Sequence, residues 1–352
     1  MKTIMKTLLV SIASLSMMFS ANSGELAVSG TAKATYNATS GDVTSNNGIG
    51  VTNELNFTAS GEMDNGYTWS YSVELDPSTA GTADSTTTAP SGSAINDDTQ
   101  ISLTMNDLGT VKFCVSECGN NKKYAWDQSA YTSMTDTGYS EGINYPSDEG
   151  AYASMQYHTP ELPFGTTATL AYGNAKKDGQ SGNAQGSAAG NSINAYSLTT
   201  KPIDGLTLTG AYYEVEDYDD GSATENQFEE GGSYAATYAS GPVTIGYGKS
   251  FKAPESTTIT AGATTVEYYE NTGMSIAYAV NDDLSLSFTR EESEANYQTS
   301  ATVGYDIEMD SIQLAYSLGG ATLSVARAEY ENAGYEQNKD ATETIIAMSF
   351  AF

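Results

Sequence analysis

Few residues of this sequence could perform acid–base or nucleophilic chemistry, and their spacing does not favour it. The only histidine is His158, and a serine that shares its parity in the same segment is Ser154. Along an extended strand these two positions lie about 13 Å apart, which is too far for direct proton transfer from a hydroxyl to an imidazole. A hydrolase site of the Ser–His type is therefore not predicted. His158 is interpreted as a structural or wall residue, and we expect no enzyme activity.

The sequence contains only two cysteines, Cys114 and Cys118. Their C-x-x-x-C spacing leaves two readings open, a small disulfide loop or a pair of free thiols. A metal site would need further ligands close by, and the sequence offers none.

The run E-V-E-D-Y-D-D-G at 214–221 invites a comparison with calcium-binding loops. Its glycine falls one place short of the sixth position of an EF-hand loop, and no glutamate stands at the twelfth. A dedicated metal site is therefore not predicted and no cofactor is expected. Weak, nonspecific binding of Ca²⁺ or Mg²⁺ by acidic loops stays open.

The balance of charge is strongly acidic, with 44 Asp and Glu against 14 Lys and Arg. Nucleic acid is excluded as a partner, because contacts to phosphates need a basic face. Acidity of this degree often accompanies disorder, but 25 tyrosines and 39% hydrophobic residues favour a folded chain rich in strands.

The first 23 residues have the pattern of a secretory signal peptide. Lys2 and Lys6 precede an apolar run from Leu8 to Phe19, and small residues follow at Ala21 and Ser23. We expect cleavage after Ser23 and export of a single domain, 24–352. That domain has no apolar run long enough for a transmembrane helix, so any membrane it enters must be crossed by strands.

About sixteen segments of the exported domain alternate between apolar and polar residues, the period of a β-strand. In 67–75, for example, aromatic and aliphatic residues share one parity, while Thr68, Ser70, Ser72 and Glu74 share the other. Seven tight turns alternate strictly with eight long polar loops; the turns are at 63–66, 106–109, 160–165, 201–205, 240–242, 281–283 and 319–320. This alternation predicts an all-β, antiparallel, up-and-down barrel with two different environments at its ends.

The barrel predicted in this way is polar inside and apolar outside. Closure is required because a sheet of sixteen strands with open edges would aggregate. A polar, water-filled interior and an apolar exterior are the reverse of what a soluble barrel shows. In an exported chain this arrangement indicates the bacterial outer membrane. Sixteen strands leave a lumen wide enough for an aqueous channel. The last segment, T-E-T-I-I-A-M-S-F-A-F, fits the closing strand of such a barrel.

Several sequence features resemble the general porins of Gram-negative bacteria, most of all the alphaproteobacterial type. They are G-E-L-A-V-S-G-T-A-K-A-T-Y at 24–36, N-E-L-N-F-T-A-S-G-E-M-D-N-G-Y-T-W-S-Y at 53–71, the alternating connections and the terminal Phe352. The resemblance implies a homotrimer that passes small hydrophilic solutes by passive diffusion. It also implies that Phe352 belongs to the signal read by the barrel-assembly machinery, and that outer-membrane lipid and lipopolysaccharide surround the barrel.

The resemblance further implies that the third long loop, 116–150, folds into the pore and narrows it. The acidic residues expected at this constriction are Glu117, Asp127, Asp136, Glu141, Asp148 and Glu149. The family commonly faces such acids with arginines, but here the only arginines are Arg290 and Arg327, near the loop-side ends of late strands. The inward basic candidates are Lys33 and Lys112. An acidic constriction with few basic wall groups favours cations, so we expect cation preference.

Two further expectations concern specificity and assembly. A sugar-specific channel remains an alternative, because the third loop could supply an aromatic path from Tyr124, Trp126, Tyr131, Tyr139 and Tyr145. A phosphate channel is disfavoured by the scarcity of arginine. Small residues of outward parity on the first strand, Gly30, Ala32 and Ala34, favour close contact between barrels at that strand.

Overall fold

All named strands among the described residues belong to one closed antiparallel sheet in the computed structural model of the protein. The structure describes residues 24–42, 47–75, 96–115, 118–131, 142–147, 153–174, 192–216, 227–255, 265–298 and 304–352. The signal peptide predicted at 1–23 lies outside these residues.

The sixteen strands follow the chain without a crossover, each pairing with the strand before and the strand after it. Their bounds are β1 Glu25–Gly41, β2 Gly48–Glu62, β3 Thr68–Leu75, β4 Asn96–Thr104, β5 Thr110–Val115, β6 Ala153–His158, β7 Thr167–Asn174, β8 Ser192–Ile203, β9 Leu206–Glu216, β10 Glu230–Ser240, β11 Val243–Ala253, β12 Val266–Ala279, β13 Leu284–Tyr297, β14 Ile307–Ser317, β15 Ala321–Glu331 and β16 Ala341–Ala351. Short 3-10 turns lie at Asn106–Leu108 and Ala333–Tyr335. The predicted number of strands and their up-and-down order are confirmed.

The barrel closes where β1 pairs with β16. The ladder runs from Thr31 opposite Ala351 to Gly41 opposite Ala341. Beyond it, the Gly30 amide donates to the Phe352 carbonyl over 2.8 Å, and the Phe352 amide donates back over 3.0 Å. The predicted closing role of the last segment is thereby seen directly in the backbone pairing.

The seven tight turns join strands at one end of the barrel, and the other eight connections leave the strands at the opposite end. Several tight turns use a glycine with positive φ, which an L side chain adopts only with strain. Gly109 has φ +87° after the 3-10 turn, and a Cβ there would also meet the His158 carbonyl. The turn before β5 is therefore held close to the end of β6.

Residues of the two parities lie in different surroundings. The outward side chains include most of the exposed large hydrophobic residues, such as Leu26, Ile49 and Ile312, which are 65%, 80% and 65% exposed. The inward side chains include buried serines, threonines and glutamines, with Gln313 only 1% exposed. Among the described residues, no helix is long and apolar enough to cross a membrane.

The main buried apolar cluster lies inside the barrel rather than between layers. It joins Trp126 and Ile143 of the β5–β6 connection to inward residues of the wall, namely Ala235, Ile307, Met309, Ala328, Tyr330 and Ala341. The inner wall of the barrel is therefore dry where this connection covers it. The inward Ile345 of β16 is also buried, with 5% of its surface exposed.

Candidate functional site: the lumen and its inserted loop

The connection between β5 and β6 enters the barrel and follows its inner wall. Two parts of it are described: the crossing segment, 118–131, and the returning segment, 142–147. Of the six acids predicted for the constriction only Asp127 falls within them. The other five, Glu117, Asp136, Glu141, Asp148 and Glu149, lie outside the described residues, as does Tyr139 of the proposed aromatic path.

A disulfide between Cys114 of β5 and Cys118 fixes the start of the crossing segment, with the two Cα atoms 6.1 Å apart. Both cysteines are buried. Gln156 of β6 donates from Nε2 to the Cys118 carbonyl over 2.7 Å, and Asn120 donates to Gln156 Oε1 over 3.2 Å. The base of the loop is therefore held covalently and by a buried amide network.

Asn121 connects the two segments to each other and to the wall. Its side-chain amide donates to the carbonyls of Pro146 and Ser147 over 3.1 and 3.2 Å. Ser233 of β10 donates from Oγ to the Asn121 carbonyl. The crossing and returning segments thus lie side by side against β10.

Trp126 is the main apolar anchor of the crossing segment, with 3% of its surface exposed. Its indole lies on Gly248 of β11 and Gly273 of β12, where an added Cβ would come closer than 3.0 Å to ring atoms. These two glycines are direct cross-strand partners. The indole nitrogen donates to the Lys123 carbonyl over 3.1 Å, which satisfies the only polar atom of the ring.

Beyond Trp126 the backbone of the crossing segment is tethered to successive inward side chains of β12, β13 and β14. The amide of Gln128 donates to Ser275 Oγ over 2.9 Å, that of Ala130 to Ser287 Oγ over 2.8 Å, and that of Tyr131 to Gln313 Oε1 over 2.9 Å. Ser275 also donates to the Trp126 carbonyl over 2.7 Å. Because every second residue of a strand faces inward, three neighbouring strands offer one tether each.

Asp127 contributes to this docking. Its Oδ1 accepts from the amide and hydroxyl of Ser129 over 3.0 and 2.7 Å and from Thr289 of β13 over 3.3 Å. The structure therefore places this carboxylate oxygen between the loop and the wall.

The returning segment packs on the apolar cluster and on the connection between β15 and β16. The Asn144 carbonyl accepts from Asn271 over 2.9 Å, and its amide donates to Tyr335 Oη over 3.4 Å. Tyr335 also exchanges a hydrogen bond of 2.8 Å with Ser293. Burial raises the pKa of Tyr335 to about 12, although its hydrogen bonds with Ser293 and Asn144 act in the opposite direction.

Tyr145 meets a buried carboxylate on β13. Its hydroxyl donates to Glu291 Oε2 over 2.6 Å, while Glu291 is 1% exposed and its Oε1 is buried without a hydrogen-bond partner. Burial, followed by the charge of Glu291, raises the pKa of Tyr145 well above its usual value. Removal of the Tyr145 hydroxyl should destabilise the docked loop. The buried Glu291 carboxylate would lose its donor and would still carry the free-energy cost of its desolvation.

The end of the returning segment is held by β9–β11. The Ser147 amide donates to Tyr213 Oη over 3.1 Å, and Lys252 donates to Ser147 Oγ over 3.1 Å. Glu229 lies between them, accepting from Tyr213 over 2.8 Å and pairing with Lys252 at 3.6 Å.

Basic groups are present in the lumen as well as acidic ones. Lys33 of β1 lies with its Nζ 5.9 Å from the centre of the Tyr131 ring, and Lys123 lies over Tyr124 at 4.9 Å. Lys112 of β5 has inward parity, and Lys122 belongs to the crossing segment. The sequence pointed to Lys33 and Lys112, whereas the loop lysines were missed because a loop has no parity from which to infer direction.

His158 and Ser154 are held separately, as their spacing predicts. The two ring nitrogens of His158 contact Gln156 Oε1 at 3.0 Å and Thr169 Oγ1 at 3.1 Å, and Ser154 accepts from Gln156 over 3.2 Å. Among the described side chains, no group of three or more His, Cys, Asp or Glu could hold a metal.

The two arginines face away from the lumen. Arg290 pairs with Asp310 of β14, and Arg327 pairs with Glu329 of β15. All four side chains are more than a third exposed on the outer face, so neither arginine faces the inserted loop.

Sequence reasoning missed the wall residues that receive the loop. The three glycines Gly246, Gly248 and Gly273 all have inward parity. Glycine is uncommon at inward strand positions, so these glycines were the sequence signal that could have indicated where the loop docks. The serines of β12 and β13 were interpreted as ordinary polar residues of the lumen. The sequence around them does not indicate that they bind the loop backbone.

The chain matches the family model described as Gram-negative porin over residues 7–352. No match is found among curated proteins. Among solved structures it is similar to the anion-selective porin of Comamonas acidovorans, with a TM-score of 0.69 at 12% identity over 94% of this chain and 100% of that one. It is also similar to OmpF of Salmonella typhi in a complex with daunomycin, with a TM-score of 0.67 at 15% identity over 94% and 98%.

A mutant of the Rh. blastica porin is similar too, with a TM-score of 0.60 at 14% identity over 93% of this chain and 100% of that one. These structural likenesses support the fold, and the family model supplies the assignment. A closed barrel, a polar lumen and an inserted loop agree with it. The chain belongs to the Gram-negative porin family and forms a diffusion channel in the outer membrane.

Proposed function

We propose that this channel prefers cations, and that the preference comes from its total charge rather than from an acidic ring at the narrow part. The observation that carries the proposal is the ratio of 44 acidic to 14 basic residues. An acidic wall and acidic loops raise the local concentration of cations through a long-range field. Of the predicted ring, the one described member, Asp127, has an oxygen directed to the wall.

Reversal potentials in a KCl gradient test this proposal at two ionic strengths. The Debye length is about 10 Å at 0.1 M and about 3 Å at 1 M. At the higher salt concentration the long-range field of the protein is therefore screened, whereas the field of a charge directly beside the ion path is not. We expect clear cation preference at low salt that declines towards equality at high salt. Anion preference at both salt concentrations would contradict the proposal.

Anion preference is a second candidate, favoured by the lysines of the lumen. Lys33 of β1 and Lys112 of β5 have inward parity, Lys122 belongs to the crossing segment, and the Comamonas acidovorans neighbour is described as anion-selective. The double change Lys112→Gln and Lys122→Gln separates the two candidates. It should increase cation preference in both cases, but only an anion-selective parent would change the sign of its reversal potential.

We also propose general rather than sugar-specific transport. Of the aromatic residues considered for a sugar path, Trp126 is buried against β11 and β12 and Tyr145 is engaged with Glu291. Two of the five rings are thus turned to the wall. Current block by sucrose or maltose at millimolar concentration would contradict general diffusion, whereas unhindered flux supports it.

The assembly proposed is a homotrimer in contact with lipopolysaccharide, delivered by the barrel-assembly machinery after removal of residues 1–23. Ala32 and Ala34 are small outward residues of β1, and Phe352 ends the paired seam with its ring next to Gly30. N-terminal sequencing of purified outer-membrane protein tests the cleavage site. Cross-linking through Ala32→Cys tests the trimer, and absence of an intermolecular product would place the contact elsewhere.

No catalytic role is proposed, since His158 is bound by Gln156 and Thr169. Weak binding of Ca²⁺ or Mg²⁺ at acidic loops is proposed as nonspecific, and titration with either ion should leave conductance unchanged apart from screening.

A further inference from the structure

Three inward glycines form a flat seat under the crossing segment. They are Gly246 and Gly248 of β11 and Gly273 of β12, and we refer to them as the glycine seat. Gly248 pairs directly with Gly273, and Gly246 pairs with Ser275. Without side chains at three adjoining positions, the backbone of the wall itself is the surface on which the loop lies.

The contact between the seat and Trp126 leaves no spare space. An added Cβ on Gly248 would lie 2.6 Å from Trp126 Cδ1 and 2.9 Å from its Cβ. One on Gly273 would come closer than 3.0 Å to three atoms of the six-membered side of the indole, and one on Gly246 closer than 3.0 Å to the Trp126 carbonyl. Cβ contacts as short as these essentially never occur, so something would have to shift.

The direction of that shift follows from the surroundings. Ser275 bonds both the Trp126 carbonyl and the Gln128 amide, so the indole and the backbone beside it approach the wall as one unit. The wall is a continuous hydrogen-bonded sheet and cannot recede. A larger residue in the seat therefore pushes the crossing segment away from the wall, towards the axis of the pore.

We propose that Trp126 and the glycine seat are positioning residues that set how far the inserted loop projects into the channel, and hence the size limit for solutes. The proposal rests on the channel function of the protein. The contact between Trp126 and the glycine seat determines the aperture of the pore, and this role is distinct from that of the charges that line the pore.

Compensating substitutions test the proposal in the full-length protein, reconstituted in planar bilayers and in liposomes. Gly248→Ala and Gly273→Ala should each lower single-channel conductance and reduce the flux of a disaccharide relative to a monosaccharide by about twofold, because flux falls steeply as a pore narrows towards solute size. Gly210→Ala, on the outward face of β9, is the control for replacing a strand glycine away from the loop, since an added Cβ there meets only the Ser233 carbonyl at 3.8 Å.

Trp126→Ala supplies the decisive comparison. It removes the indole atoms that clash with residues 248 and 273, so it should restore conductance and size selectivity in Gly273→Ala. It leaves the Trp126 main chain in place, so it should not restore Gly246→Ala. A purely structural role for the tryptophan would not produce this difference between the two glycines.

The proposal is overturned if Gly248→Ala and Gly273→Ala keep the parental ratio of disaccharide to monosaccharide flux. It is also overturned if Trp126→Ala restores Gly246→Ala as well as it restores Gly273→Ala. Should Gly273→Ala fail to assemble, recovery of a heat-modifiable barrel in the double variant supports the contact, and continued failure contradicts it. A parent that conducts no ions would overturn the channel assignment together with the proposal.

Discussion

The inner surface of this barrel has two sides that differ in how water reaches them. We call the inward faces of β10–β15 the covered wall and those of β2–β4 the open wall. Both follow the same alternation, and both are rich in serine and threonine. On the covered wall Ser287, Thr289 and Ser293 are 6%, 0% and 0% exposed, whereas no inward residue of β2–β4 whose side chain is described is buried.

The difference teaches that a polar residue on a lumen face has two possible functions. On the open wall, Ser70 and Ser102 bond each other across strands at 2.7 Å and line the water-filled space. On the covered wall, Ser275 and Ser287 bond the loop backbone. The covered wall therefore behaves like the interior of a soluble domain, and its substitutions should be judged by the rules for buried sites.

The largest contrast is expected from introducing a charge on each wall. Ala235→Lys would place an ammonium in the apolar cluster beneath the inserted loop, where Ala235 is 5% exposed and lies opposite Thr209 and Gly248; an unpaired buried charge costs about 3–5 kcal/mol. Ser72→Lys would place the same group in open water at almost no cost. Hydrogen exchange of 142–147 should rise strongly in the first variant only. Equal exchange in both would remove the distinction between the walls.

A smaller effect is expected at Tyr145. Tyr145→Phe leaves Glu291 buried without its donor, which should weaken docking of the returning segment by about 1–3 kcal/mol. Tyr71→Phe, on the outer face of β3, is the control and should be neutral. Exchange rates of 142–147 and current noise report the result, and unchanged rates would show that Tyr145 docks by packing alone.

The covered wall should also respond to alkaline pH. The pKa values of Tyr145 and Tyr335 are raised in the docked state, the second to about 12, so their contribution is fully present below the undocked pKa of about 10. It is lost as pH rises through the docked values. Current noise should therefore increase between about pH 10 and 12, and the double change Tyr145→Phe and Tyr335→Phe should abolish this increase. A transition at neutral pH would point to another group.

The smallest expected effect comes from single tethers. Ser287→Ala removes one hydrogen bond to the Ala130 amide and should weaken docking by about 1 kcal/mol. Ser102→Ala on the open wall should cost less, because water replaces the lost partner. Exchange of the 118–131 peptide distinguishes the two, and an equal or reversed order would contradict the assignment of Ser287 as a tether.

The fold was predictable from the sequence because a strand period of two and a strict alternation of connections are local signals. The seat of Trp126 was not predictable, because it depends on the register that brings Gly248 of one strand opposite Gly273 of the next. The partner of Tyr145 could not be foreseen either, since Glu291 and Tyr145 are 146 positions apart.

The charges of the constriction were the least predictable part. Acids in the loop are evident in the sequence, but the orientation of Asp127 depends on a hydrogen bond with Thr289 of another strand. Parity indicated Lys33 and Lys112 because strands have two faces. Lys122 and Lys123 carried no such signal.

The seam between β1 and β16 has a consequence for how the barrel forms. Gly30 and Phe352 exchange two hydrogen bonds across 322 positions of sequence, whereas every other pair of neighbouring strands is joined by one connection. Closing a loop of this length costs about 3 kcal/mol more entropy than closing a ten-residue hairpin. Until the seam forms, two strand edges expose unpaired backbone groups, which hydrocarbon does not tolerate. Closure and entry into the bilayer core must therefore occur together, as one cooperative step late in folding.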